Sequence, residues 1–162
     1  LDAIKNADAV VLGPGSLYTS IMPNLLVEGV ADTLKKSKAV KIYICNVMTQ
    51  PGETDGYTAS MHVKAILDHA GRGAIDYVIV NSTPISPELE AYYAERGAYP
   101  VIVDEDALND LGVGFIKADI ISETEVIHHD PVKLSRNVMK MVYSLKSGSN
   151  VRDYYMQDNS MR

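Results

Sequence analysis

Cysteine, tryptophan and phenylalanine are nearly missing: the chain has one Cys, no Trp and one Phe among 162 residues. A lone thiol closes no internal disulfide, so Cys45, inside the apolar run VKIYICNV, reads as a small core residue suited to a reducing cytoplasm. Long hydrophobic runs are also absent. No stretch approaches the ~20 apolar residues that span a bilayer, and the first residues, LDAIKNAD, hold no signal-peptide hydrophobic region. Membrane insertion is therefore not expected. Positive charge is the third shortage: 15 Lys and Arg against 21 Asp and Glu leave a net charge of −6, with no basic block. Nucleic-acid binding draws most of its affinity from neutralising phosphates, so it is not the expected function, although local basic spots are compatible with the composition. Neither a low-complexity run nor a repeat of fixed period is present.

What the chain has is apolar content, 46% of its residues, enough for the core of one domain. The apolar residues form short runs separated by helical patterns. AVVLG (9–13), VKIYICN (40–46), DYVIVN (76–81), YPVIV (99–103) and, less clearly, VGFIKADI (113–120) read as strands. Residues 17–35 look helical with a break at Pro23, and 58–70 places Ala59, Val63, Ile66, Leu67 and Ala70 on one face. Ser86-Pro87 opens a helix to 96, with the Ser86 oxygen expected to cap it, and Asp130-Pro131 repeats the device. That last helix aligns Leu134, Val138, Met141, Val142 and Leu145 and ends at Ser147-Gly148. Strands alternating with helices favour parallel pairing through crossovers, hence a doubly wound, mainly parallel Rossmann-like α/β sheet with helices on both faces. Residues 1–148 form that domain. Residues 149–162, SNVRDYYMQDNSMR, read as a polar tail whose tyrosines could dock on a partner.

The first strand runs directly into Gly13-Pro14-Gly15-Ser16, and a helix-compatible stretch follows. Open α/β sheets bind ligands beyond the carboxyl ends of their strands, where a glycine turn exposes amides at a helix N-terminus. This junction fits a phosphate cradle, with Ser16, Tyr18, Thr19 and Ser20 supplying hydroxyls. A dinucleotide fingerprint would require a third glycine at 18, where tyrosine stands, and an acid ending the second strand, where Asn46 stands. The Gly-Lys-Ser/Thr of a P-loop is absent. An ordinary tight turn is the plainer alternative.

The second strand ends in NVMTQPGETDGYTAS (46–60), which would bring Asn46, Thr49, Gln50, Glu53, Thr54 and Asp55 to the same rim. Glu53 and Asp55 could accept from sugar hydroxyls, hold a divalent cation bridging to phosphate, or act as a general base; they could also be solvated turn carboxylates. Asn81, Ser82 and Thr83 repeat the polar ending on the third strand. The histidines offer less. His62 and His69 stand about two helical turns apart, too far to chelate one ion, and His128 and His129 would point to opposite sides of an extended segment, so no metal site is expected. A Ser16-His-carboxylate triad lacks the G-x-S-x-G elbow that would support it.

LGPGSLYTSIMPNLLVEGV and NVMTQPGETDGYTASMHV, with YVIVNSTPIS and HHDPVKL, resemble the CofD-like family, in its bacterial gluconeogenesis-factor (YvcK) branch. The resemblance runs from about residue 4 to the helix ending near 146; the family commonly has arginine at position 128. It implies a Rossmann-like fold related to phospholactate transferase, which joins a phospholactyl group to a deazaflavin acceptor with loss of nucleotide. For the bacterial branch it implies a cytoplasmic protein that binds UDP-sugars, affects cell shape and wall synthesis during gluconeogenic growth, and has no established reaction. The ligand would then lie over loops 13–20 and 46–55, with Asn81. Members of the family are about twice as long and begin with a Gly-Gly-Gly-Thr-Gly loop, so this chain, which opens without methionine, reads as a carboxyl-terminal portion. Surfaces left uncovered in such a portion would favour association, including homo-oligomers.

Overall fold

The computed structural model describes residues 1–123 and 126–148, Glu123 by its backbone alone; the expected tail at 149–162 lies outside the described residues. Helix α1 (Asp2–Asn6) leads into β1 (Ala9–Leu12), and a π-helical turn, Leu17–Ile21, follows. Then come α2 (Met22–Leu25), α3 (Val30–Lys36), β2 (Val40–Ile44), α4 (Ala59–Ala70) and β3 (Tyr77–Asn81). The chain continues through α5 (Pro87–Ala94), α6 (Glu105–Asp110), β4 (Gly114–Ala118), β5 (Ile121–Glu123), β6 (Ile127–His129) and α7 (Pro131–Lys146).

Strands β1 to β4 form a parallel sheet in chain order, with Val11 opposite Ile42, Tyr43 opposite Val78 and Ile79 opposite Ile116. Alternation along a strand sends successive side chains to opposite faces, and in β2 both faces are buried. Tyr43 and Cys45 enter one core with Leu25, Leu34, Val63, Ile66 and Leu108, from α2, α3, α4 and α6. Ile42 and Ile44 enter the other, closed by Leu134, Met141 and Val142 of α7. Crossovers of one hand that step always in the same direction must return on the same face, which accounts for the first layer; α7 covers the second. The result is the expected Rossmann-like α/β arrangement with helices on both faces. Capping at the last helix follows its sequence signal: one Asp130 carboxylate oxygen accepts from the backbone N–H groups of Val132 and Lys133, each at 2.9 Å.

Four local expectations are corrected. Residues 99–103 are not a sheet strand. They run beside the loop after β2, joined by an isolated bridge between Met48 and Pro100 and by the Val101 N–H donating to the Val47 carbonyl at 2.9 Å. Proline at 100 lacks the donor that an interior ladder needs. Second, the helical stretch 17–35 breaks at Gly29, φ +80°, rather than at Pro23, which sits in the first turn of α2 where its missing N–H costs nothing. Third, Ser86 precedes α5 without a side-chain capping bond. Fourth, residues 121–129 form an antiparallel β5–β6 pair that the apolar pattern did not announce.

Candidate functional site

Because β1 and β2 are parallel neighbours, the segments leaving their carboxyl ends share one rim. Gly13 adopts φ +94°, and a Cβ there would lie 3.3 Å from the Ile44 carbonyl oxygen, so glycine is required where the turn brushes β2. The Gly13–Pro14 peptide bond is cis. Ser16 then starts the π-helical turn, its carbonyl accepting from Ser20 at 2.9 Å and Ile21 at 3.0 Å. Across the rim the Gln50 amide donates to the Ser16 hydroxyl at 2.8 Å, while the Asn46 amide donates to the Gln50 side-chain oxygen at 3.2 Å. Thr54, fully buried, fixes Gln50 by accepting its backbone N–H at 2.9 Å. The two loops that the sequence suggested would converge do so.

Above them lies an open cleft of about 450 Å³ lined by Gly15, Ser16, Asn46, Thr49 and Gln50 on one side and by Tyr93, Arg96, His128 and His129 on the other. In a chain of net charge −6, the described residues of this lining include one arginine, two histidines and no Asp or Glu. The cleft is therefore suited to an anion. His129 hangs over the end of β2, its Nε2–H donating to the Cys45 carbonyl at 3.3 Å; burial lowers its pKa, partly offset by that bond. Cys45 itself is buried, and desolvation pushes its thiol up to about 12, so it stays protonated within the core.

Other residues selected from the sequence take different places. Glu53 does not face the cleft. One of its carboxylate oxygens accepts the backbone N–H groups of Tyr18 and Thr19, each at 3.0 Å, and so takes two of the amides offered to phosphate. Asp55 accepts the Gly52 N–H at 2.7 Å within its own turn. Tyr18 turns away toward Tyr57, hydroxyl to hydroxyl at 2.8 Å, and that bond raises its pKa to about 12. Ser20 packs beneath Gly15, where a Cβ would lie 3.0 Å from that of Ser20. Gly13 and Pro14 shape the turn without lining the cleft. Thr49 lines it, but its hydroxyl accepts from the Tyr99 N–H at 2.9 Å. Asn81 belongs to an adjoining cavity of about 210 Å³ that shares Asn46 and Val47 with the cleft, and its amide is engaged with the Thr83 backbone. Among the described residues no three His, Cys, Asp or Glu side chains gather as a metal cage.

Sequence reasoning missed Arg96 and Tyr93 and undervalued His128 and His129. Arg96 and Tyr93 reach the cleft through the segment mistaken for a strand: the Thr49 N–H donates to the Tyr99 carbonyl at 2.7 Å, and Gly97 packs against Pro51, so the end of α5 is drawn to the loop after β2. The Tyr93 hydroxyl in turn accepts from the Ile127 N–H at 3.1 Å and ties α5 to β6. An arginine ending the 86–96 helix was the visible signal, but its neighbours were not.

Comparison with known proteins gives a consistent picture. The family model described as 2-phospho-L-lactate transferase CofD matches residues 1–121. A gluconeogenesis factor of Halalkalibacterium halodurans is 52% identical over 141 residues, 86% of this chain and 44% of that protein. One from Bacillus subtilis is 47% identical over 136 residues, 83% of this chain and 43% of the relative. A crystal structure of a Bacillus halodurans protein superposes with a TM-score of 0.83 at 52% identity, covering 85% of this chain and 45% of that one. The chain thus spans less than half the length of these relatives, and the comparisons do not bear out the expected carboxyl-terminal placement of that share. No helix among the described residues is long and apolar enough to cross a membrane. With a family-model match over most of its length and a shared fold at this identity, the chain belongs to the CofD family.

Proposed function

We propose that this chain supplies part of the binding site for a nucleotide-activated sugar, a UDP-sugar such as UDP-glucose or UDP-N-acetylglucosamine, in a cytoplasmic protein that regulates cell shape and wall synthesis during gluconeogenic growth. The observation that carries this reading is the cleft at the carboxyl rim, whose described lining holds no Asp or Glu, bridged by Gln50 and Ser16. The Gly15 backbone and Ser16 hydroxyl would meet phosphate, and Asn46, Thr49 and Gln50 would lie on the sugar side. A divalent cation, if bound with the nucleotide, would be held chiefly by the ligand's own phosphates. The names of the relatives, gluconeogenesis factors, support the physiological context. Among the described residues β1 has a single paired neighbour, so its other edge is the natural surface for association of copies.

The matched family description favours a second reading, a transferase moving a phospholactyl group from an activated nucleotide to a deazaflavin acceptor. One set of measurements separates the two. Thermal melting of the purified protein with UDP-glucose or UDP-N-acetylglucosamine should raise the midpoint, since a ligand at 100 times its Kd adds about 2.7 kcal/mol, without consumption of the nucleotide. Turnover of a phospholactyl-nucleotide with a deazaflavin acceptor would instead establish the transferase. Absence of both effects overturns both readings.

A further inference from the structure

We infer that Arg96 is the anion-binding residue of the cleft, set there to take phosphate oxygens of the ligand; this rests on the UDP-sugar reading and adds the group that would recognise its charge. Three observations converge on Arg96. Among the described residues it is the only Lys or Arg in the cleft lining, and none of those lining residues is an Asp or Glu. Its guanidinium is pre-positioned: Nη1 donates to the Tyr92 carbonyl at 2.7 Å, and the guanidinium carbon stands 3.7 Å over the centre of the Tyr92 ring. That ring meets Tyr93 edge-on, 5.4 Å between centres, and Tyr93 is bonded to Ile127, so the platform beneath the arginine is anchored to the strand that carries His128 and His129.

A guanidinium has five N–H donors in a planar fork. One bond to the Tyr92 carbonyl fixes the fork while leaving donors for the paired oxygens of a phosphate, which a fork binds at two points and an ammonium at one. Glu95 lies 3.8 Å from Nη1 at a well-exposed position, where solvent screens the pair, so it competes weakly with a bound anion. The plainer role for an arginine at a helix end is to satisfy the last carbonyls. That role accounts for the Tyr92 bond, but it requires neither a cleft whose described lining is free of acids nor an anchored platform.

Isothermal titration of wild type, Arg96→Gln and Arg96→Lys with UDP-N-acetylglucosamine, UDP and uridine, together with ligand-free melting of each protein, distinguishes the roles. Arg96→Gln should weaken the two phosphorylated ligands tenfold or more, roughly the loss expected when a charged hydrogen bond is removed. Arg96→Lys should fall between the two, and uridine affinity should not change. Equal affinity of all three proteins for UDP, or a loss that extends equally to uridine, overturns the inference. If wild type binds none of these ligands, inorganic pyrophosphate becomes the probe: wild-type binding lost in Arg96→Gln retains Arg96 as an anion ligand while removing the UDP-sugar reading, and no binding overturns both.

Discussion

Glu53 holds the start of the first crossover by its backbone: a carboxylate oxygen lies 3.0 Å from the amide nitrogen of Tyr18 and at the same distance from that of Thr19. The opening turn after Ser16 leaves amides without partners inside the helix, and a carboxylate from a loop 34 residues away meets two of them. Glu53→Ala should therefore destabilise the fold by about 1–2 kcal/mol. Glu53→Gln, which keeps a neutral acceptor, should cost less. Urea denaturation of the three proteins checks the order, and an unchanged midpoint for Glu53→Ala would show that the clamp contributes nothing.

The glycines of the turn should fail in different ways. Gly13→Ala forces a side chain into φ +94° and against the Ile44 carbonyl, so a loss of about 1–3 kcal/mol is expected whether or not ligand is present. Gly15 lines the cleft and carries no left-handed constraint. Gly15→Val should instead abolish ligand-induced stabilisation by blocking approach to the backbone, with the crowded Ser20 adding a smaller structural cost. Melting curves with and without UDP-N-acetylglucosamine separate these effects.

Mild acid should destabilise the protein through two histidines. Burial lowers the pKa of His62, with opposing contributions from its bond to the Thr58 carbonyl and from Glu53. Its Nδ1–H donates to that carbonyl at 2.8 Å, and its Nε2 is buried without a hydrogen-bond partner among the described residues. His129 is lowered for the same first reason. With folded pKa values below an unfolded value of about 6.5, the unfolded chain binds more protons as pH falls through that range, so stability present above it is lost progressively on acidification. The thermal midpoint should drop between pH 7.5 and 5, and His62→Gln should flatten the dependence. A midpoint that is flat for wild type refutes the assignment.

Asp55→Asn should leave affinity for a phosphorylated ligand unchanged and cost under about 1 kcal/mol, because its carboxylate serves the Gly52 N–H in an exposed turn. A clear loss of affinity in titration would return Asp55 to the ligand site.

Periodicity carried as far as the elements whose partners are local or whose pattern is strong. The stripe on α7 and the apolar face of α4 pack as their spacing requires, and β2, apolar except for Lys41, is buried on both sides. It failed where composition is ambiguous between a ladder and a single extended contact: Tyr99 to Val103 has strand-like residues, but it pairs with the loop after β2. It also failed for Glu53, whose acidity suggested chemistry and whose partners are two main-chain amides.

By itself the sequence determined the alternation of strands and helices, their buried faces and the polar character of the strand endings, because these properties depend on the spacing of residues along a few turns or strands. Tertiary structure alone decided which polar groups share a space. Ser16 and Gln50 meet because β1 and β2 lie side by side, while Arg96 reaches the same cleft because residues 97–101 fold back along the loop that follows β2. Contacts between segments so distant in the chain depend on the packing of whole layers, which leaves no local periodic mark on the residues involved.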